Sequence, residues 1–125
     1  MSEKIFYKEE SYKIIGVCMD VYNILGKGHS EVVYKDALEY EFQKAGTPYS
    51  RERQYKIEHK DIVLPHHYNA DFVIYEKIIL EVKAVEALTS SHIKQTLNYL
   101  AASKLKLGLL VNFGEESLVY KRVVL

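Results

Sequence analysis

Cysteine is nearly missing from this chain. Cys18 stands alone, so no intrachain disulfide can form and no cysteine-based zinc site can be built. Long apolar runs are also missing. None approaches the roughly 20 residues a membrane helix needs, and the opening Met-Ser-Glu-Lys-Ile-Phe-Tyr-Lys-Glu-Glu holds no apolar signal core. A protein without membrane association, in the cytoplasm, is the expectation. Net charge is zero, 17 basic residues against 17 acidic, so no global basic field advertises a polyanionic partner and any nucleic-acid surface must be local. Tryptophan is absent while tyrosine occurs 11 times, which fits a well-packed interior or an adhesive surface. Internal repeats, linkers and low-complexity segments are absent as well. With 125 residues, 48% apolar and 27% charged, residues 1–125 read as one globular domain.

What is present reads as alternating helical and extended segments. Ile14, Val17, Cys18, Val21 and Leu25 form a helical stripe from about Glu9 to Leu25, stopped by Gly26. Cys18 lies on that stripe as a small buried hydrophobe. After the loop Gly26-Lys27-Gly28-His29, Ser30 is a fitting N-cap and Glu31 sits in the first turn, where the dipole favours a carboxylate. The loop's Gly-x-Gly lacks the preceding strand and the full glycine pattern of a phosphate loop. The second helix runs to about Ala45, ended by Gly46 and Pro48.

Tyr49 to Glu58 alternates with charged neighbours and suggests an edge strand. His59-Lys60-Asp61 is a turn, and Ile62 to Leu64 is a short apolar piece stopped by Pro65. His66 and His67 are adjacent, so on a strand they point to opposite faces and make poor joint metal ligands. Strands follow at Tyr68–Tyr75 and Ile78–Ala84, then a helix from about Ser91 to Ser103 begun by Thr89-Ser90-Ser91. Leu107–Asn112 is a central strand and Ser117–Val124 a last one. The order is ααβββαββ. Strands two and three form a hairpin, and the helix after strand three permits a parallel crossover, giving a mixed sheet flanked by helices on both faces.

Asp71, Glu81 and Lys83 are the anomaly. They lie in two strands otherwise apolar enough to be buried, where unpaired charge is costly. Two carboxylates and a lysine at one strand pair are the parts of a divalent-metal site that cleaves phosphodiesters. The competing structural reading has Asp71 capping a turn and Glu81 paired with Lys83 or a helix residue.

Gly28-His29-Ser30-Glu31-Val32-Val33-Tyr34 carries Gly-x-x-Glu-x-x-Tyr, and Ala70-Asp71, Glu81-Val82-Lys83-Ala84, Gln95-Thr96-Leu97-Asn98-Tyr99-Leu100 and Gly108 to Gly114 follow in order. From roughly Tyr12 to Val123 the chain thereby resembles the GxxExxY family of the PD-(D/E)XK nuclease superfamily, with Ala70 where a proline is expected before Asp71. The resemblance implies an α/β, restriction-endonuclease-like core. It implies a nuclease acting on DNA or RNA, with Asp71, Glu81 and Glu31 as ligands for Mg²⁺ or Mn²⁺. Lys83 would orient the attacking water or support developing charge. Gln95 and Tyr99, one turn apart, would contact the nucleic-acid backbone or brace the metal shell. The alternative is a catalytically silent nuclease-fold protein that binds nucleic acid or protein, with homodimerisation through tyrosine-rich patches or the strand at Tyr49–Glu58. Zero net charge favours that alternative. Lys27, Arg51, Arg53, Lys94, Lys104 and Lys106 are the basic side chains available to track a backbone.

Register provides a test. With a two-residue turn at Glu76-Lys77, Phe72 would oppose Glu81 and Asp71 would point to the other face. A three-residue turn at Tyr75-Glu76-Lys77, or a bulge between Asp71 and Tyr75, is therefore predicted.

Overall fold

Strands apolar on both faces must be covered on both faces, and that requirement shapes the molecule. The computed structural model describes residues 6–125; the first five, half of the polar opening stretch, lie outside the described residues. The elements are α1 (Lys8–Leu25), α2 (Glu31–Ala45), β1 (Tyr49–His59), β2 (Ile62–Ile74), β3 (Ile78–Lys83), α3 (Ser90–Ser103), β4 (Leu107–Asn112) and β5 (Val119–Val124). They form one five-stranded sheet in the order β1-β2-β3-β4-β5. β3 and β4 are parallel, joined through α3, and the other neighbours are antiparallel. The expected order and the mixed sheet are both found. Among the described residues no helix is long and apolar enough to cross a membrane.

The alternation of β3 divides the core. Ile78, Leu80 and Val82 pack with Ile14, Cys18, Tyr34, Leu38 and Phe42 of α1 and α2. Ile79 faces the other way, with Tyr99 and Leu100 of α3 and with Leu110. Cys18 is fully buried, and burial pushes its thiol up to about 12, so it is an inert core side chain. Helix α3 lies close on β4 because residue 108 is glycine; a Cβ there would stand 2.6 Å from Cγ2 of Thr96.

Three local expectations need correction. Pro65 does not end a strand: β2 runs on through it from Ile62 to Ile74. The pairing steps from Lys56↔His67 to Glu58↔Val63, so Pro65 sits in a bulge, where its missing N–H is not needed. The hairpin strands stop at Ile74 and Lys83, and β5 starts at Val119. Ser30 holds the N-cap position in extended conformation, but its side chain makes no capping bond.

Tyr34 secures that helix entrance instead. Its hydroxyl donates to the Gly26 carbonyl at 2.6 Å and accepts from the His29 N–H at 3.2 Å. Its ring stacks on Phe113, centroids 4.4 Å apart. Gly28 adopts φ 111° in this loop, a conformation that favours glycine. The Gly-x-x-Glu-x-x-Tyr spacing thus has a local cause: the glycine turns the loop and the tyrosine pins it. Glu31, between them, starts the helix at a fixed place.

Candidate active site

The β2–β3 hairpin opens into a fork. Its ladder runs Ile74↔Ile78, Val73↔Ile79, Phe72↔Leu80 and goes no further. The turn has three residues, Tyr75-Glu76-Lys77, the first of the two expected arrangements, with Tyr75 and Glu76 both left-handed at φ 58° and 56°. Past Leu80, β3 stays with β4, while β2 stays with β1. Backbone groups in the crotch of such a fork lose their ladder partners and need others.

Asp71 and Glu81 supply them reciprocally. The Asp71 N–H donates to Oε2 of Glu81 at 2.7 Å, and the Val82 N–H donates to Oδ2 of Asp71 at 2.8 Å. The two carboxylates fill the gap between the strands from either side. Asp71 can do so because β2 changes face there. Phe72 and Ala70 belong to opposite cores, although residues two apart on a regular strand share a face. The skipped residue is Asp71. Opposite it, Glu52 of β1 is left-handed at φ 56°, while Arg51↔Phe72 and Arg53↔Ala70 keep register on either side.

Lys35 of α2 closes this arrangement. Its ammonium donates to Oδ1 of Asp71 at 2.9 Å and also pairs with Glu52. Burial pulls the Lys35 ammonium down, but the Glu52 and Asp71 carboxylates outweigh it and hold the group above its ordinary value. Glu81 is 2% exposed. Burial first, and the Asp71 charge second, push its carboxyl up to about 9, against the Asp71 N–H and the charges of Lys83 and Lys35. Tyr99 of α3 faces the same carboxylates: burial, then the charges of Glu81 and Asp71, raise its phenol to about 12. Tyr68 packs against that ring, centroids 5.4 Å apart.

The other expected residues lie around this centre. Lys83 shares the Glu81 side of β3 and is partly exposed. Gln95 is half-buried one turn before Tyr99. Glu31 reaches the end of β3, where its carboxylate accepts from the Ala84 N–H at 3.3 Å. The structure therefore joins the strands of Asp71 and Glu81 through their carboxylates, brings Tyr99 within reach of their charge, and leaves Glu31 on backbone. Among the described residues no three acidic, histidine or cysteine side chains stand together as a metal cage. The donor chemistry still suits a hard dication, since Mg²⁺ typically takes one or two carboxylates and keeps several waters. Lys35 already places one positive charge against Asp71. Three of the six basic residues named above are paired with carboxylates elsewhere: Lys27 with Glu116, Arg51 with Asp36 and Glu39, and Arg53 with Glu76.

Lys35 and Glu52 do not stand out in the sequence. Lys35 lies four residues after Glu31 on α2, hence on the same helix face, and that was the available signal. Glu52 had none, because a left-handed glutamate is not encoded by any local pattern.

The end of β3 is held by Asn112 and Gly114. The fully buried Asn112 amide accepts from the N–H groups of Val85 and Gly114, each at 3.0 Å, and donates to the Val85 carbonyl at 2.9 Å and to Glu115 at 2.8 Å. A Cβ at Gly114 would lie 2.3 to 2.8 Å from the backbone of Val85 and Ala84, neither of which can move without shifting Lys83. Gly114→Ala should therefore destabilise the protein by about 3 kcal/mol or more, read as a lower urea midpoint with an unchanged slope.

No curated protein matches the chain. Among solved structures, the crystal structure of SSO0001 superposes with a TM-score of 0.61 at 17% identity, covering 94% of this chain and 57% of that one. This chain thus spans a little over half of that molecule, and the likeness is one of fold. The crystal structure of an alkaline exonuclease (LHK-Exo) from Laribacter hongkongensis superposes at a TM-score of 0.49 and 10% identity, covering 97% of this chain and 72% of that one. The sequence profile described as the PD-(D/E)XK nuclease superfamily matches residues 8–123, nearly the whole length, and the chain belongs to that superfamily.

Proposed function

We propose that this protein is a metal-dependent nuclease of the GxxExxY type, hydrolysing phosphodiester bonds in DNA or RNA with Mg²⁺ or Mn²⁺. The observation that supports it most is the interlock of Asp71 and Glu81 in the β2–β3 fork, with Glu81 buried and pushed up to about 9. A buried carboxyl beside a second carboxylate is short of positive charge, which a dication would bring. Asp71 and Glu81 would hold the ion, with Glu31 extending the acidic lining at the end of β3. When bound, a dication of this kind neutralises charge on the scissile phosphate and acidifies water. Lys83 orients the attacking water or donates to a phosphate oxygen as charge develops there. Tyr99 and Gln95 brace the carboxylates from α3 or contact the substrate backbone.

Incubation of the full chain with single- and double-stranded DNA and RNA plus Mg²⁺ or Mn²⁺ tests this reading. Cleavage should fall by about 100-fold or more in Lys83→Ala while the Mn²⁺-induced rise in melting temperature persists. Cleavage that survives in both Lys83→Ala and Asp71→Ala comes from a contaminant and removes the assignment.

A second reading, a silent nuclease-fold binding or assembly module, is favoured by one specific set of observations. Lys35 already neutralises Asp71, and no three-ligand cage is formed among the described residues. Metal binding without turnover on any of the four substrates would select it.

A further inference from the structure

The β1–β2 ribbon continues past the fork. β2 leaves β3 after Phe72, yet its pairing with β1 runs on to His59↔Ile62. On the α3 side this ribbon is covered at its base, where Tyr55 and Tyr68 pack against the core that contains Tyr99. On the α2 side it is bare. Directly cross-strand residues share a face, so the face opposite Tyr55 and Tyr68 shows Gln54 beside Asn69 and Lys56 beside His67. All four are exposed, and none makes a side-chain hydrogen bond or ion pair with another described residue. Successive rungs lie about 7 Å apart, and the first adjoins the Glu52–Lys35–Asp71 bridge.

We infer that this face is a track for the sugar–phosphate backbone of a nucleic-acid strand, leading into the fork; the inference rests on the nuclease reading above. The chemistry of the two rungs is that of phosphate contact: two amides, an ammonium and an imidazole, all able to donate and none acidic. Position supports it too, because Gln54 and Asn69 stand two residues along their strands from Glu52 and Asp71. Lys27, Arg51 and Arg53 are held by carboxylates, whereas Lys56 is not. A partner met here would be recognised by its backbone rather than its bases. Binding should then be insensitive to sequence and weakened by salt.

Fluorescence anisotropy with labelled single-stranded DNA, the matching RNA and a duplex, in Ca²⁺ to prevent cleavage, tests the track on the full chain. Relative affinities identify the polymer. Lys56→Glu should bind about tenfold more weakly, with a salt slope reduced by about one. Gln54→Ala/Asn69→Ala should also weaken binding, and Lys121→Glu, on β5 at the other edge of the sheet, should not. All replaced residues are exposed, so circular dichroism should be unchanged. Wild-type affinity in both ribbon variants, or equal weakening in Lys121→Glu, overturns the track and leaves the nuclease reading standing. A changed sedimentation coefficient in Lys56→Glu with nucleic-acid affinity intact assigns the face to self-association and overturns it too. Failure of the wild-type protein to bind any of the three polymers overturns both.

Discussion

Glu81→Gln should fold, lose metal-dependent cleavage, and become more stable than wild type above neutral pH. The sign follows from the carboxyl at position 81. Its pKa is about 9 in the folded chain against 4.5 as the reference value. Between those values the native state holds a proton that the unfolded state has released. Stability is then fully present below about pH 4.5 and lost as pH rises towards 9, at up to about 1.4 kcal/mol per pH unit. Glutamine matches the protonated carboxyl in shape, keeps an oxygen to accept the Asp71 N–H, and cannot ionise. Urea titrations from pH 5 to 9 should show a falling midpoint for wild type and a flatter one for Glu81→Gln. Mn²⁺ should reverse the wild-type loss and leave the variant unmoved. Its binding requires the proton to leave, so apparent affinity should rise by up to about tenfold per pH unit below pH 9. Equal pH profiles for the two proteins would mean that Glu81 carries no excess proton in the native state.

Lys35→Met should have the second largest effect, a loss of stability without metal and a larger response to it. Lys35 is largely buried between Glu52 and Asp71, with side-chain exposure of 13% against 52% and 16%. Removing one member of a buried pair leaves the other charge uncompensated, which costs roughly 3–5 kcal/mol when burial is complete. Partial exposure of the Glu52 side reduces this to about 2 kcal/mol. The metal-free variant should melt several degrees below wild type. With the ammonium gone, the negative charge on Asp71 is free for a dication, so Mn²⁺ should stabilise Lys35→Met more than wild type. Calorimetric titration and melting curves measure both halves. A variant as stable as wild type, with unchanged Mn²⁺ response, would show that Lys35 neither supports the fork nor competes for it.

The division between what the sequence revealed and what it hid has physical causes. Helices α1 to α3 were legible because their apolar stripes and stop signals are local. Leu107–Asn112 was legible to the residue because a strand buried on both faces is a continuous apolar run. Register narrowed the hairpin to a three-residue turn or a bulge, since either puts Asp71 opposite Glu81, and the Tyr75-Glu76-Lys77 turn is the one found. Pro65 misled because a proline ends a regular strand but is tolerated in a bulge, and the bulge depends on which β1 residue lies opposite. The face switch at Asp71 was invisible for a related reason. It requires Glu52 and Asp71 to leave the alternation together, a property of the pair that neither strand carries alone. Lys35 followed from that switch, as did the finding that Asp71 and Glu81 bond each other's strands. The placement of Glu31 on the Ala84 N–H depends on the Tyr34 clamp and on Asn112 and Gly114, which meet only in three dimensions.

A crystal structure of the protein soaked in Mn²⁺ bears most directly on the account. It should place an anomalous peak about 2.0–2.3 Å from a carboxylate oxygen of Asp71 and from one of Glu81, with Lys35 moved off Asp71. A peak remote from both carboxylates, or none while Lys35 still bridges Asp71 and Glu52, would contradict it.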